Sequence, residues 1–312
     1  MALGREKSLQ IREKGIYNFG MTMKTTVSVV AFLLFFAACT TTPVSDKTAF
    51  IVIPFSQEVA MGEQAYKDLL GKEKISSNPS LTKVAERVGR RLAATTTMPK
   101  LDWTFNVIDS NQKNAFALPG GKTAVYTGIL TVCENEAGLA AVLGHEIAHV
   151  TARHSGQRIS QQFLLMGAMT AASISLSNNN QRDFLLGALG LGAMYGISLP
   201  FSRSNESEAD QIGLVYMAQA GYDPREAIRF WGRFSKLKGN KQPPEFLSTH
   251  PADATRLRGL QEYLPRAIRI YEALPTKYGL GVKFDPADLE VKGAAPAAAP
   301  AKTMPKSIET LQ

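Results

Sequence analysis

From Ser56 onward the apolar and polar positions repeat with two different periods, and the changes of period divide the chain into elements. Ser56 to Leu70 reads as a helix. Asn78-Pro79 opens a second one as N-cap and first-turn proline, after which Leu81, Val84, Val88 and Leu92 recur at helical spacing. Leu101 to Val107 instead alternates Leu, Trp, Phe and Val with Asp, Thr and Asn, the period of a half-buried strand. Pro119-Gly120-Gly121 predicts a turn, and Lys122 to Val132, rich in Thr, Val, Tyr and Ile, predicts another strand. Asn135 caps the next helix, with Glu136 in its first turn and Leu139, Val142, Leu143 and Ile147 on its apolar face. Glu206 to Ala220 reads as a further helix ended by Gly221, and Asp223-Pro224 caps and starts its successor. The expected fold class is α+β: one mainly helical domain over residues 51–292, with a small sheet bordering a cleft.

Two stretches depart from this pattern. Residues 163–200 are unusually apolar, but Ser177 to Asp183 (SNNNQRD) splits them into two pieces, each short of a bilayer span. They read as a helical hairpin over the cleft, or as a membrane-dipping or substrate-guiding loop. Residues 293–312 are an Ala/Pro-rich tail, expected to be extended and disordered.

At the other end, Lys24 precedes the apolar run Val27 to Ala38, which has the length of a signal-peptide core. The run ends in Phe36-Ala37-Ala38-Cys39, resembling the lipobox at which bacterial prolipoproteins are cut, with Phe36 in place of the usual Leu. Residues 1–38 are therefore expected to be a signal peptide and residues 39–50 a linker that starts at a lipidated Cys39. Met21 and Met23 lie just ahead of the apolar run, so residues 1–20 are read as a mis-assigned start. Thr40 is not the aspartate associated with inner-membrane retention, so the expected location is the outer membrane, facing the periplasm. A plain secretory cleavage site, giving a soluble periplasmic protein, is the alternative.

Composition narrows the function classes. With 312 residues and 45% hydrophobic content the chain can bury a sizeable core. The net charge is +8, but residues 1–38 hold five basic against two acidic side chains, and the remaining basic residues are scattered. No basic helix is interleaved with aromatics, and nucleic acid is not an expected partner. The two cysteines, Cys39 and Cys133, imply no disulfide framework; Cys133 reads as a small buried apolar residue.

The chemistry concentrates in His145-Glu146-Ile147-Ala148-His149. Residues four apart share a helix face, so both imidazoles can reach one metal ion, while Glu146, one step around, reaches a water on it. A catalytic zinc takes three protein ligands and keeps one position open, so a third ligand is required. A metzincin would set Gly and His three and six residues past His149, but Ala152 and Ser155 stand there and His154 falls one short. Glu206, in the sequence Asn205-Glu206-Ser207-Glu208-Ala209-Asp210, is the better candidate. Asp210, four residues on, shares its face and can orient a ligand histidine through its second nitrogen. Glu208 competes with Glu206, but points away from it on an ideal helix and reads as a solvated surface acid. His154 and Arg153 are read as structural or supporting residues on the same helix as the histidine pair.

HEIAH followed by NESEAD and preceded by Asn114 to Gly121 (NAFALPGG) resembles the gluzincin metallopeptidases of the HtpX, BepA and LoiP kind, over about residues 50–265. The resemblance implies a zincin-like domain and one zinc ion per chain, held by His145, His149 and Glu206, with Glu146 as the catalytic base and Asp210 behind the ligands. It implies that Asn114 to Gly121 borders the cleft, where an extended substrate could add as a strand; a bare structural turn is the other reading. His250 matches a histidine that approaches the metal from a loop in BepA-like relatives, as a latency plug or an oxyanion stabiliser; otherwise it is a surface residue. The expectation is a stand-alone lipoprotein member, without the set of membrane-spanning helices of the HtpX branch or the tetratricopeptide repeats that follow the peptidase domain in the BepA branch. The function expected is a zinc metalloendopeptidase acting on misfolded or unassembled periplasmic and outer-membrane proteins in envelope quality control. A non-cleaving lipoprotein that binds unfolded strands is the competing class. The oligomeric state is not legible.

Overall fold

The computed structural model describes residues 39–239, 246, 249–251, 254–279, 281 and 283–285. The expected signal peptide and Ala/Pro tail lie outside the described residues. The described residues start with a two-stranded hairpin, β1 (Cys39–Thr41) against β2 (Thr48–Phe50), in place of the linker expected over residues 39–50, followed by helices α1 (Phe55–Leu70) and α2 (Pro79–Ala94). Asn78 caps α2 as expected, its side chain accepting from the backbone N–H of Ser80 at 2.9 Å.

A three-stranded sheet follows, made of β3 (Thr104–Ile108), β4 (Ala115–Leu118) and β5 (Lys122–Tyr126) in the order β3-β5-β4. β3 runs parallel to β5 and β4 antiparallel to it, with Ala115 opposite Val125 and Leu118 opposite Lys122. The tight β4–β5 connection needs left-handed backbone at Gly120 (φ 87°) and Gly121 (φ 80°), which glycine adopts without a Cβ clash. Alternate side chains enter two cores. Phe105, Val107, Ala117 and Val125 pack with α2 and the helices beyond it, whereas Phe116, Leu118, Ala124 and Tyr126 pack with α1. A sheet covered on both faces loses the clean alternation of an exposed one, which is why β4 is apolar throughout.

The strand expected over Lys122 to Val132 ends at Tyr126, and Thr127–Cys133 forms a short helix, α3. Gly128 lets α3 approach the preceding loop: a Cβ there would stand 2.3 Å from the Asn111 carbonyl oxygen. Thr127 Oγ1 donates to Ser110 O at 2.8 Å and accepts from Ser110 N–H at 3.0 Å, anchoring the helix start. These non-local contacts override the strand propensity of Thr, Val and Ile.

The next helix, α4 (Glu136–Thr151), is capped by Asn135, whose Oδ1 accepts from the Gly138 N–H at 2.9 Å. Every residue from Ala137 to Thr151 is buried, so α4 forms the centre of the domain rather than an amphipathic surface helix. It does not continue through His154. Arg153 takes a left-handed conformation (φ 55°) and interrupts the helix before α5 (His154–Ser175). Arg153 donates to Glu58 and, at 3.1 Å, to the Ile53 carbonyl, a structural role as expected.

α5 and α6 (Arg182–Ala193) form the apolar hairpin, joined by the polar segment. α6 buries none of its residues, so it projects from the body instead of packing over it. The helix does not stop with its apolar piece near residue 200: a π-helical turn (Met194–Ser198) joins it to α7 (Leu199–Gln219). The resulting 38-residue helix is long and apolar enough to cross a membrane by length and composition. Ser202, Arg203, Ser204 and Asn205 lack a proline or glycine to break it, so Glu206 lies inside α7 rather than at a helix start. Gly221 (φ 81°) ends α7, and Asp223 Oδ1 accepts from the Arg225 N–H at 2.9 Å to start α8 (Arg225–Ser235). Helix α9 (Ala254–Ala273) packs across α7 and α8. The architecture is the expected α+β class, mainly helical with a small sheet.

Candidate active site

The two helices that carry the chemistry cross in close contact. Gly144 on α4 faces Gly213 on α7, where a Cβ on Gly213 would stand only 2.9 Å from the His145 backbone nitrogen. This close approach brings Glu206, seven residues earlier on α7, to the two histidines of α4. His145, Glu146, His149, Glu206 and His250 are all buried.

His145 Nε2 lies 3.1 Å from His149 Nε2 and 3.3 Å from Glu206 Oε2, and His149 Nε2 lies 3.5 Å from Glu206 Oε1. His250 joins from the segment after Phe246, with Nδ1 2.9 Å from Glu206 Oε2 and 3.2 Å from His145 Nε2. One ligand atom from each of these four residues lies within 4.8 Å of all the others. A tetrahedral zinc site with arms of about 2.1 Å has edges of about 3.4 Å, so these separations fit a zinc ion between the four groups. The surface reading of His250 is overturned, since it is 3% exposed and stands within this cluster.

Glu146 flanks the cluster without joining it. Its Oε1 faces His250 Nε2 at 3.6 Å, and neither atom has a hydrogen-bond partner among the described residues. Burial pushes the Glu146 carboxyl up, partly offset by His250 and His145, toward the range where a carboxylate can both take and return a proton. The carboxylate also accepts a hydrogen bond from the backbone of Ala117, which sets it against β4, an edge strand of the sheet. Burial pushes His149 down, keeping its imidazole neutral and able to donate a lone pair.

Asp210 stands 3.0 Å behind His145, from Oδ1 to Nδ1. Sequence reasoning missed the group that holds it, Arg256 on α9. Arg256 donates to both Asp210 oxygens at 2.7 Å, and its Nη1 lies 3.2 Å from Glu206 Oε2. Its guanidinium lies over Trp231, 4.1 Å from the ring centre, and Trp231 and Phe246 wall the His145 ring. No local motif marks Arg256, which lies 46 residues beyond Asp210.

Glu208 is also misread by the ideal-helix argument. It does point away from Glu206, but into protein: it is 2% exposed. Burial alone would raise its carboxyl, yet the facing His154 ring and hydrogen bonds from Ser45 and Thr42 outweigh this and hold it at about 2. Burial pushes His154 down, against the pull of Glu208.

Two histidines a helical turn apart, a glutamate from a second helix and an uncoordinated glutamate beside them define a gluzincin metallopeptidase. The sequence profile described as Peptidase family M48 matches residues 79–264, and the chain belongs to that family. Mitochondrial metalloendopeptidase OMA1 of Schizosaccharomyces pombe is 39% identical over 231 residues, which cover 72% of this chain and 66% of that protein. The protein of the same name from Saccharomyces cerevisiae is 32% identical over 253 residues, 74% of this chain and 70% of its own. Beta-barrel assembly-enhancing protease of Escherichia coli is 29% identical over 223 residues, 70% of this chain and 46% of its own. The chain thus spans about two thirds of the yeast relatives and less than half of the bacterial one.

Proposed function

We propose that this protein is a zinc-dependent endopeptidase of the bacterial cell envelope that removes misfolded or unassembled periplasmic and outer-membrane proteins. The observation that carries the activity is the His145–His149–Glu206 cluster with Glu146 beside it, its separations matching the edges of a zinc tetrahedron. In this reading those three residues hold one zinc ion, which when bound supplies Lewis acidity to the scissile carbonyl and makes the attacking water more acidic. Glu146 takes the proton of that water and returns it to the leaving amine, a task suited to its raised pKa. Asp210, kept ionised by Arg256, holds the His145 ring by its Nδ1. An extended polypeptide adds to edge strand β4, which runs its backbone past the Glu146 carboxylate.

His250 acts as a latency plug. Its Nδ1, 2.9 Å from Glu206 and 3.2 Å from His145, stands inside the ligand cluster, where it would keep water and substrate from a bound ion. His250→Ala therefore raises the initial rate on an unfolded protein. A lower rate assigns His250 to oxyanion stabilisation instead, and an unchanged rate removes it from the mechanism.

The substrate class is supported by the segment ahead of Cys39 that resembles an export signal and lipobox, read here as a periplasmic anchor, and by the likeness to a protein named for β-barrel assembly. The test is zinc-loaded full-length protein mixed with a β-barrel polypeptide kept unfolded in urea-diluted solution, and with the same polypeptide folded in detergent. Selective cleavage of the unfolded form is expected. Capture of it without cleavage, also by His250→Ala, would favour a binding role. Membrane fractionation of Cys39→Ser tests the anchor: the variant should become soluble or remain unprocessed.

A further inference from the structure

His149 turns Nε2 toward the cluster, so its other nitrogen faces away, and there it meets a second imidazole: His149 Nδ1 lies 2.9 Å from His154 Nδ1. The break at Arg153 makes this contact possible, because it turns the first residue of α5 back against the end of α4. His154 Nε2 in turn lies 3.5 Å from Glu208 Oε2. The Glu208 carboxylate accepts hydrogen bonds from Thr42 Oγ1 and Ser45 Oγ, and Lys47 Nζ lies 3.7 Å away. All three of these belong to the turn between β1 and β2. Thr42, His154 and Glu208 are each no more than 4% exposed.

The ends of this chain dictate where its protons sit. A nitrogen that ligates a cation presents a lone pair, so His149 with Nε2 on the ion carries its proton on Nδ1. That proton needs an acceptor, so His154 Nδ1 accepts and His154 carries its own proton on Nε2. The group facing that proton is the Glu208 carboxylate, which the Thr42 and Ser45 hydroxyls stabilise. Asp210 does the same for His145 directly, at 3.0 Å, whereas His149 is served through one additional ring.

The geometry points to Glu208 as a positioning residue that acts through His154 to fix the tautomer and ring orientation of His149, held for that task by the Thr42–Lys47 turn. This inference rests on the reading of His149 as a zinc ligand. It also makes the β1–β2 hairpin, remote in sequence, a structural support of the metal site.

The test is zinc affinity of the full-length protein, measured by competition with a chromophoric chelator, with the visible spectrum of the cobalt(II)-substituted protein alongside. Glu208→Leu removes the acceptor and is expected to weaken zinc binding on the order of 10- to 100-fold and to shift the cobalt bands. Glu208→Gln keeps a carbonyl acceptor and should recover most of the loss. Thr42→Val combined with Ser45→Ala leaves Glu208 in place and should give a smaller loss in the same direction; it decides the matter alone if Glu208→Leu does not fold. A merely structural role would lower the melting temperature while the folded variants kept the parent's affinity and cobalt spectrum, and that result overturns the inference. Turnover enters none of these readouts. A parent that binds zinc but cleaves nothing contradicts the endopeptidase reading and leaves this comparison standing.

Discussion

Arg256 grips Asp210 with Nε and Nη2, each 2.7 Å from a carboxylate oxygen, and so joins helix α9 to the back of the metal-ligand cluster. Both side chains are almost fully buried. Removing one partner of such a pair strands the other charge, so Arg256→Met should destabilise the protein by about 3–5 kcal/mol. Equilibrium urea unfolding measures this. Arg256→Lys should rescue only partly, because an ammonium cannot donate in parallel to both oxygens. A loss below about 1 kcal/mol for Arg256→Met would contradict a tightly coupled pair.

The Gly144–Gly213 crossing sets the distance from Glu206 to the two histidines. A Cβ on Gly213 would meet the α4 backbone at 2.9–3.1 Å, and backbone cannot swing aside as a flexible side chain can. Gly213→Ala should push α7 away from α4, costing about 1–3 kcal/mol as overpacking and weakening zinc binding in the same variant. Calorimetry and chelator competition give the two values. Unchanged zinc affinity would mean that α7 slides without moving Glu206.

Cys133 is fully buried, and burial pushes its thiol well up from its usual value. The folded state therefore keeps the thiol protonated at pH values where the unfolded chain, with a cysteine pKa of about 8.5, releases the proton. Deprotonation favours the unfolded state, so stability declines as pH rises above about 8.5. Cys133→Ala should flatten that alkaline decline, as followed by urea unfolding between about pH 7.5 and 10. In the Cys39→Ser chain, a thiol reagent at pH 8 should label Cys133 only as fast as the protein unfolds. Rapid labelling of Cys133 in the folded protein would contradict the burial.

The parts of the site that were legible in the sequence are those fixed by short-range geometry. His145, Glu146 and His149 follow from helical periodicity, the Asn78 and Asn135 caps from side-chain chemistry, and the partnership of Glu206 with Asp210 from a four-residue spacing. The parts that were not legible depend on what packs against them. Thr127–Cys133 has strand propensity and becomes helix because Gly128 and Thr127 dock on the Ser110–Gln112 loop. Glu208 reads as solvated because nothing near it in sequence predicts Thr42 and Ser45. Arg256 lies in an ordinary charged stretch of α9, and only the crossing of α9 over α7 gives it Asp210. His250 reads either as a loop histidine at the metal or as a surface one, because only the tertiary fold brings it 2.9 Å from Glu206.

The most direct measurement compares cleavage of an unfolded protein by the zinc-loaded full-length chain and by the same chain carrying Glu146→Gln, with zinc content determined for both. Glu146 is not among the proposed ligands, so both proteins should hold one zinc ion, while cleavage falls by at least about 100-fold in the variant. Equal cleavage by the two zinc-loaded proteins would contradict the assignment of Glu146 as the base that activates water.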